Sequence, residues 1–370
     1  MGLAQALSLR LERRLILLRA TAARRALAPQ GGRAARSRLA RLPRGAICAV
    51  CVIRDEAERL PRFFDWHRGL GVDLFLIIDN GSVDGGDHWV AAQPDAVLWR
   101  ARGSYRAARF GMDWVNAVLG RWARGRWVLT LDADELLVYP MCDARPLQAL
   151  THWLERCGRR SLPAQMVDLY PGPEVPPDPA PDARLGGPRL HGDGAAGGAS
   201  PGRGADAPGG DAWRRAGLDR AWFDPCNTLV ERDPRYANLW IRGGPRLRLA
   251  AERPHEAPAL NKTPLIRWAR GDAYVSGAHA ALPRGLNRGF ARDGAEGVSA
   301  AILHTKLLDG DPARAADPAR MAEHYAGGRE HAAWAAAAAR GAGFHGPFSA
   351  PLQGWRSLAR AGLMGRGLWA

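Results

Sequence analysis

Lysine is almost missing from this chain: Lys262 and Lys306 are the only lysines among 52 basic residues, and the others are arginine. The formal net charge is +15. An excess of positive charge attracts nucleotides, anionic lipid surfaces and nucleic acids, but it does not choose among them. A solvated arginine-rich surface, produced by a coding bias toward arginine, alanine and glycine, explains the charge equally well. Against this background, the two lysines are candidates for a specific contact.

Cysteine is also scarce. The chain has five cysteines, and their odd number and irregular spacing form no disulfide framework. This pattern favours a reducing compartment. Cys48 and Cys51 form a C-x-x-C, but they lie in an apolar run, 46–53, that predicts a buried strand. Residues three apart on a strand point to opposite faces, which argues against a redox or zinc site.

Long apolar runs are missing too. None approaches the ~20 residues that span a membrane, and there is no apolar signal-peptide core. The first 45 residues are basic, and leucines recur among the arginines at near-helical spacing. This pattern fits an amphipathic helix on an anionic membrane, a helix packed on the domain, or a disordered arm. We expect a cytoplasmic protein, with peripheral contact at the inner face of the membrane as one interpretation of the arm. The leucines are Leu7, Leu11, Leu15, Leu17 and Leu18.

From residue 45 to residue 170, apolar strands alternate with amphipathic helices. Alternation at this spacing indicates parallel βαβ units and an α/β fold. In such sheets, ligands bind outside the carboxyl ends of the strands. The predicted strands are 45–53, 72–78, 96–100, 126–131 and 165–170, and the predicted helices are 56–68, 107–119 and 147–157.

The composition changes abruptly from Pro171 to about Gly210. Proline, glycine, alanine and aspartate dominate there, with almost no large apolar side chain. Such a segment cannot bury enough surface to offset the entropy of ordering it. The sequence therefore predicts a disordered surface insertion.

Two aspartates follow the fourth predicted strand. Asp132 and Asp134 come directly after the apolar run 127–131, and residues two apart in extended chain point the same way. Two carboxylates on one side can hold a hard divalent cation and leave positions for diphosphate oxygens and water. The alternative is that one aspartate caps a helix and the other is solvated. A second D-x-D, which begins at Asp309, runs into a proline and has loop character.

The second predicted strand ends at Asp79, Asn80, Gly81 and Ser82. A carboxylate in this position can accept hydrogen bonds from a base or a ribose, and the turn amides can approach a ligand closely. Taken alone, however, the tetrapeptide is well suited to an ordinary Asx turn.

Four segments, taken in order, resemble bacterial family-2-type glycosyltransferases. They are V-I-R-D-E-A at 52–57, F-F-D-W-H-R-G-L-G at 63–71, I-D-N-G-S-V-D at 78–84 and L-T-L-D-A-D-E-L at 129–136. Fragments at 243–246, 261–268, 276–279 and 303–306 continue the resemblance. One departure matters: the K-N-E of the family is R-D-E at 54–56 here, so a carboxylate replaces an amide and nucleotide preference can differ.

The resemblance implies a GT-A-like fold, in which helices cover both faces of a Rossmann-like, mostly parallel sheet. It also implies a nucleotide-sugar donor, a saccharide or glycolipid acceptor, Mn²⁺ or Mg²⁺, and transfer with inversion. The resemblance also implies roles for single residues. Asp79, with Asn80 and Ser82, would contact the nucleoside, and Asp132 and Asp134 would bind the metal and the diphosphate. His304 would complete the metal site, and Lys306 would contact the diphosphate, with Lys262 in a similar segment.

Inverting transfer needs a base for the acceptor hydroxyl. Asp168, at the end of a predicted strand, is the first candidate, with Glu135 as the alternative and Asp224 as a third.

The resulting domain organisation has five parts. The basic arm or amphipathic helix is 1–45, the nucleotide-sugar-binding half is 46–170, the insertion is 171–211, the acceptor-side half is 212–310 and a helical tail is 311–370.

Two other functions compete with this interpretation. A nucleotidyltransferase also pairs carboxylates around a metal, but the expected glycine-rich phosphate loop is missing after the first strand, at 54–57. A non-catalytic basic module that binds nucleotides or nucleic acid could use the 14 tryptophans for stacking. The tryptophans are scattered in apolar runs, so a nucleic-acid partner is not favoured.

Overall fold

A computed structural model describes residues 2–43, 45–173, 210–225, 227–250, 255, 257–288, 297–309 and 343–370. Most of the predicted insertion (174–209) and most of the predicted helical tail (310–342) lie outside the described residues.

Fifteen strands and nine α-helices make up the described part of the chain. The strands are β1 (Ile47–Ile53), β2 (Leu74–Asp79), β3 (Ala96–Arg100), β4 (Trp127–Thr130), β5 (Glu135–Val138), β6 (Ser161–Asp168), β7 (Tyr170–Pro171), β8 (Ala221–Phe223), β9 (Asn227–Asp233), β10 (Asn238–Gly243), β11 (Asn261–Arg267), β12 (Ala273–Ser276), β13 (Ala280–Leu282), β14 (Ala300–His304) and β15 (Ala350–Pro351). The helices are α1 (Leu3–Ala26), α2 (Gly32–Arg41), α3 (Leu60–Leu70), α4 (Gly86–Ala91), α5 (Met112–Trp122), α6 (Leu147–Arg156), α7 (Gly210–Arg215), α8 (Lys306–Asp309) and α9 (Trp355–Arg360).

The centre of the molecule is an eight-stranded sheet in the order β3-β2-β1-β4-β11-β6-β14-β5. Strands β3, β2, β1 and β4 are parallel, and β6 is parallel to β14. β11 runs antiparallel between β4 and β6, and β5 is antiparallel to β14. As a result, the carboxyl ends of β1, β2, β4, β6 and β14 all lie at one edge of the sheet.

Helices cover both faces of this sheet. Phe63 of α3 and Leu150 of α6 are buried on one face, together with Cys51 of β1. Val115 of α5 and Ala20 of α1 are buried on the other face, together with Cys48 of β1. The predicted α/β class, with a mostly parallel sheet between helical layers, is confirmed and is compatible with a Rossmann-like nucleotide-binding fold. The two cysteines lie on opposite faces, as strand alternation requires.

Helix α3 begins later than the sequence pattern predicts. The expected start was residue 56, but Glu56 instead accepts turn hydrogen bonds through its carbonyl, and the helix begins at Leu60 with Pro61 in its first turn. Proline is well tolerated there because the first N–H groups of a helix have no intrahelical partner. The helix ends at Gly71, whose φ of 96° suits a residue without a side chain.

Helix α1 packs on the domain, although not through the leucines that the spacing had suggested. Leu9, Ile16 and Ala20 are buried against the body of the protein. Burying a side chain such as Ile16 contributes roughly 2 kcal/mol. Four of the five leucines named above, all but Leu17, are exposed instead. None of the described helices is both long enough and apolar enough to cross a membrane.

Candidate functional site

One edge of the sheet collects the residues that the sequence singled out. The carboxyl ends of the parallel strands converge there, and the chain enters β5 and β11 from the same edge because these strands run the opposite way. The residues are Asp79 at the end of β2, Asp132 and Asp134 after β4, Glu135 at the start of β5, Asp168 at the end of β6, Lys262 near the start of β11 and His304 at the end of β14.

A buried chain of charges, which we call the His304 cluster, joins Arg246, Asp168, His304 and Asp134. Asp168 Oδ1 lies 2.7 Å from His304 Nδ1, and Asp168 Oδ2 accepts a hydrogen bond from Arg246 Nε at 2.7 Å. On the other side of the ring, His304 Nε2 lies 3.4 Å from Asp134 Oδ2. Arg246 Nη2 lies 2.9 Å from His304 Nδ1. Because arginine can only donate, that contact competes with the Asp168 hydrogen bond, which the protonated ring prefers.

The charges of this cluster set its protonation. Burial lowers the pKa of His304, but the Asp134 and Asp168 carboxylates raise it, and the net result is a pKa of about 9. Burial opposes ionisation of Asp134, yet His304, Arg59 and Lys306 hold the pKa of this carboxyl well below its usual range. The imidazole is therefore a cation between two carboxylates at neutral pH.

A second ion pair lies beside the cluster. The ammonium of the buried Lys262 contacts the carboxylate of Glu135 and lies 3.3 Å from Asp132 Oδ2. Glu135 Oε2 also accepts the backbone N–H of Asp132 at 3.1 Å. Although burial opposes its charge, Glu135 and Asp132 raise the pKa of Lys262. Asp132 differs from its neighbours because its side chain is 58% exposed.

Arg59, which precedes α3 directly, and Arg62 of α3 close the site on the side of α8. Arg59 Nε and Arg62 Nη2 contact Asp309 Oδ2 at 3.1 and 2.6 Å, and Arg59 Nη1 contacts Glu56 at 2.8 Å. The backbone N–H of Thr305 donates to the Asp134 carbonyl at 2.9 Å. Asp309, the first residue of the second D-x-D in the sequence, is therefore ion-paired with both arginines.

The loop after β2 is shaped by its own backbone. Asp79 Oδ1 accepts the N–H of Ser82 at 2.9 Å, and its Oδ2 accepts the N–H of Gly81 at 3.3 Å. This is the Asx turn that the tetrapeptide favours. Ser82 Oγ in turn accepts the N–H of Asp55 at 3.0 Å, which ties this loop to the loop after β1. Asn80 Nδ2 donates to the carbonyls of Ala101 and Gly103.

The candidate bases are all ion-paired. Asp168 uses both oxygens in the His304 cluster, and Arg246 and His304 lower its pKa although burial opposes ionisation. Glu135 is paired with Lys262, and Asp224 accepts hydrogen bonds from Tyr170 and Arg248. The lowered pKa makes Asp168 a weak proton acceptor, whereas burial and the neighbouring carboxylates raise the pKa of Glu135 although Lys262 opposes this. The geometry fits a positioning role for Asp168 better than the role of base.

The predicted metal ligands come together only in part. Asp134 and His304 are close enough to share a cation, whereas Asp132 turns toward Lys262. Across the residues that the structure describes, no group of three or more histidine, cysteine, aspartate and glutamate side chains converges as a metal site. Lys306 begins α8 and adds positive charge near Asp134.

Sequence reasoning gave no site role to Arg246, Arg59 or Arg62. Arg246 ends the G-G-P-R fragment that belongs to the resemblance, so a signal for it was present. Arg59 lies just before α3 and Arg62 lies in its first turn, and only the fold shows that both contact Asp309 of α8.

Comparisons with known proteins add no argument to the fold described above. No protein-family model and no curated protein sequence matches the chain. Among solved structures, the chain is similar to a crystal structure of 4-diphosphocytidyl-2C-methyl-D-erythritol synthase, at 21% sequence identity and a TM-score of 0.21. The match covers 38% of this chain and 64% of that one, just under two thirds of its length. A similarity this weak carries no argument about activity, substrate or partner.

Proposed function

We propose that this protein is a glycosyltransferase of the family-2 type with a GT-A-like fold, which transfers a sugar from a nucleotide-sugar donor with inversion and with the help of a divalent metal. One observation carries the proposal. Asp168 fixes the ring of His304 at Nδ1, and the Nε2 of the same ring faces Asp134 of the D-x-D after β4. A histidine whose second nitrogen bonds a carboxylate is the usual arrangement of a metal-ligating histidine.

The spacing along the sheet edge suits a nucleoside diphosphate. Asp79 ends β2, Asp134 follows β4, and β1 lies between these two strands. Two strand spacings amount to roughly 10 Å, about the distance from a nucleoside to the phosphates it carries. A nucleoside over the Asp79–Ser82 loop would therefore place its diphosphate beside Asp134 and His304. In this arrangement Asp79, whose two oxygens accept the N–H groups of Gly81 and Ser82, would hold the loop in shape beneath the nucleoside.

The residues at the diphosphate end fit a metal with mixed donors. Asp134 would supply a carboxylate oxygen, and His304 would supply its Nε2 nitrogen after losing the proton that this nitrogen carries in the metal-free cluster. Asp132 is exposed enough to add a second carboxylate. Imidazole with carboxylate suits Mn²⁺ better than Mg²⁺, which prefers oxygen ligands. A cation here would neutralise charge on the departing nucleoside diphosphate.

The other residues hold this end of the site in place. Asp168, fixed by Arg246, orients the His304 ring and keeps its Nε2 aimed at Asp134. Arg59 and Lys306 place positive charge near Asp134, where it would also attract a diphosphate. In the transfer itself, the acceptor hydroxyl attacks the anomeric carbon, the bond from that carbon to the diphosphate oxygen breaks, and the hydroxyl proton leaves to a base.

The experiment is a binding and hydrolysis assay with UDP-, GDP-, CMP- and dTDP-sugars, with and without Mn²⁺ or Mg²⁺. We expect metal-dependent binding of one donor by the wild type and its loss in Asp134→Ala. Asp95→Ala is the matched control, since Asp95 is ion-paired with Arg68 at the amino end of β3, the opposite edge of the sheet. Binding of no donor by a folded protein would contradict the proposal. Turnover of a nucleoside triphosphate with release of diphosphate would favour a nucleotidyltransferase instead.

A further inference from the structure

Helix α1 presents a row of leucines to solvent. Five leucines, each at least 52% exposed, lie along its outer side. At 100° and 1.5 Å per residue, they fall within an arc of about 120° and extend over roughly 22 Å. We call this surface the leucine stripe. Its members are Leu3, Leu7, Leu11, Leu15 and Leu18.

The fold does not need the leucine stripe. The opposite side of α1 already packs on the domain through Leu9, Ile16 and Ala20. Arg19 is ion-paired with Asp113 at 2.9 Å, which fixes the helix on α5. Nine large hydrophobic side chains are exposed in the described part of the chain, and five of them belong to the stripe. Isolated exposed leucines are ordinary, but a contiguous row marks an interaction surface.

The charges around the stripe have one sign. Arg10, Arg14, Arg24 and Arg25 are exposed on α1. The only acidic residue of the helix, Glu12, turns to the domain, where it contacts Arg235 Nη2 at 2.8 Å and accepts the Tyr236 hydroxyl. At 100° per residue, Arg10 and Arg14 lie along one edge of the leucine stripe, and Arg24 and Arg25 lie beyond its last leucine. The outer side of α1 is therefore apolar with a cationic edge and a cationic carboxyl end.

This combination fits an anionic lipid surface. An interfacial helix buries its leucines at the level of the headgroups, while arginines pair with the lipid phosphates. A second copy of the chain is a poorer occupant, because an isologous contact would bring the same arginines against one another. We propose that α1 lies flat on an anionic membrane and docks the protein there through the leucine stripe. This inference is independent of the chemistry at the sheet edge.

The test is co-flotation of the full chain with vesicles of phosphatidylglycerol and phosphatidylcholine, compared with vesicles of phosphatidylcholine alone. We expect binding to the anionic vesicles only, weakened by salt. The variant Leu7→Gln/Leu11→Gln/Leu15→Gln should bind at least roughly tenfold more weakly, because three buried side chains are removed from the interface. Arg10→Gln/Arg14→Gln should bind more weakly and with less salt dependence. Val230→Gln/Leu368→Gln, which changes two exposed apolar residues elsewhere, is the matched control and should bind like the wild type.

Results of three kinds would overturn the proposal. The first kind concerns binding: a wild type that does not bind anionic vesicles, or a control variant that loses as much binding as the leucine variant. The second is a wild type that sediments as a dimer without lipid while the leucine variant sediments as a monomer, since a second copy would then cover the stripe. The third is a large drop in the thermal midpoint of the leucine variant, since another part of the same chain would then cover it.

Discussion

Two buried histidines in this protein differ in charge: one is neutral and the other is a cation. His67 in α3 and His304 at the end of β14 are 0% and 6% exposed. Burial lowers the pKa of His67 to about 4, and its neutral ring donates from Nδ1 to the Phe63 carbonyl and accepts the Leu137 N–H at Nε2. Burial also lowers the pKa of His304, but Asp134 and Asp168 raise it to about 9.

The difference separates a histidine of the core from a histidine of a site. Around His67, backbone groups satisfy both nitrogens, and a charge would have no partner. Around His304, two carboxylates overcome the cost of burying a cation, although the nearby Arg246 opposes that charge. Burial of this kind is unfavourable unless every charge is paired. Such a cluster contributes little to stability relative to an apolar core. Its presence therefore favours a functional role for His304.

The largest effect is expected from breaking the His304 cluster. Arg246→Leu leaves the fully buried Asp168 carboxylate without its main partner, and we expect the free energy of unfolding to fall by about 3–5 kcal/mol. Chemical denaturation measures it. Arg242→Leu, which removes an ion pair with the half-exposed Glu231, should cost less than about 1 kcal/mol. Similar costs for both variants would mean that the cluster is not ion-paired as described.

The next effect concerns the neutral histidine. The folded-state pKa of His67, about 4, lies below the ordinary value of 6.5, so the unfolded chain takes up a proton first on acidification. Its contribution to stability is complete above pH 6.5 and is lost as the pH falls toward 4, by up to about 3 kcal/mol. In His67→Gln, the free energy of unfolding, measured by chemical denaturation, should fall less between pH 6.5 and pH 4 than in the wild type. His88→Gln, at an exposed position, should leave this decrease unchanged, and a His67 variant with the wild-type slope would refute the assignment.

A smaller effect is expected where the cluster orients a ligand. Asp168→Asn keeps the shape of the side chain but weakens its hold on the His304 ring, and we expect Mn²⁺ affinity to fall roughly ten- to a hundredfold. Asp272→Asn is the control, since Asp272 is a buried carboxylate paired with Arg160 at the opposite edge of the sheet. Equal Mn²⁺ affinity in the two folded variants would leave Asp168 with a purely structural role.

The smallest effect is expected from a change in the Asp79–Ser82 loop, at the proposed nucleoside end of the site. Asp79→Asn retains one oxygen for the turn amides, so the free energy of unfolding should change by less than about 1 kcal/mol. Donor affinity should change only a few-fold, because the backbone of the Asp79–Ser82 loop supplies most of the surface. A loss of folding in this variant would show that the carboxylate holds the loop more firmly than a turn requires.

Much of this fold could be predicted from local patterns. The apolar runs located β1 to β4, and the aspartates predicted at strand ends lie together at the carboxyl edge of the parallel strands. β5 was not predicted, because its four residues pair with β14, far away in the chain. Its hydrogen bonds depend on a non-local partner that local periodicity does not contain.

The site was harder to predict than the fold. Asp132 and Asp134 look equivalent in sequence, yet Lys262 draws one away and His304 faces the other. Arg246, in the segment after β10, meets Asp168 at the end of β6 only in the folded chain, since the two residues are 78 positions apart in sequence. The leucine spacing of α1 predicted a helix. The helix has two apolar sides, so the sequence did not show which side would be buried. In the fold, Leu9, Ile16 and Ala20 are on the buried side.

The most direct measurement is a calorimetric titration of Mn²⁺ into the full chain in the presence of nucleoside diphosphates. The account predicts one Mn²⁺ site per chain that strengthens with one nucleoside diphosphate. Its affinity should be at least roughly tenfold weaker in Asp134→Asn and His304→Gln, and unchanged in His88→Gln. Equal Mn²⁺ affinity in all four proteins, or no Mn²⁺ binding by the folded wild type, would contradict the account.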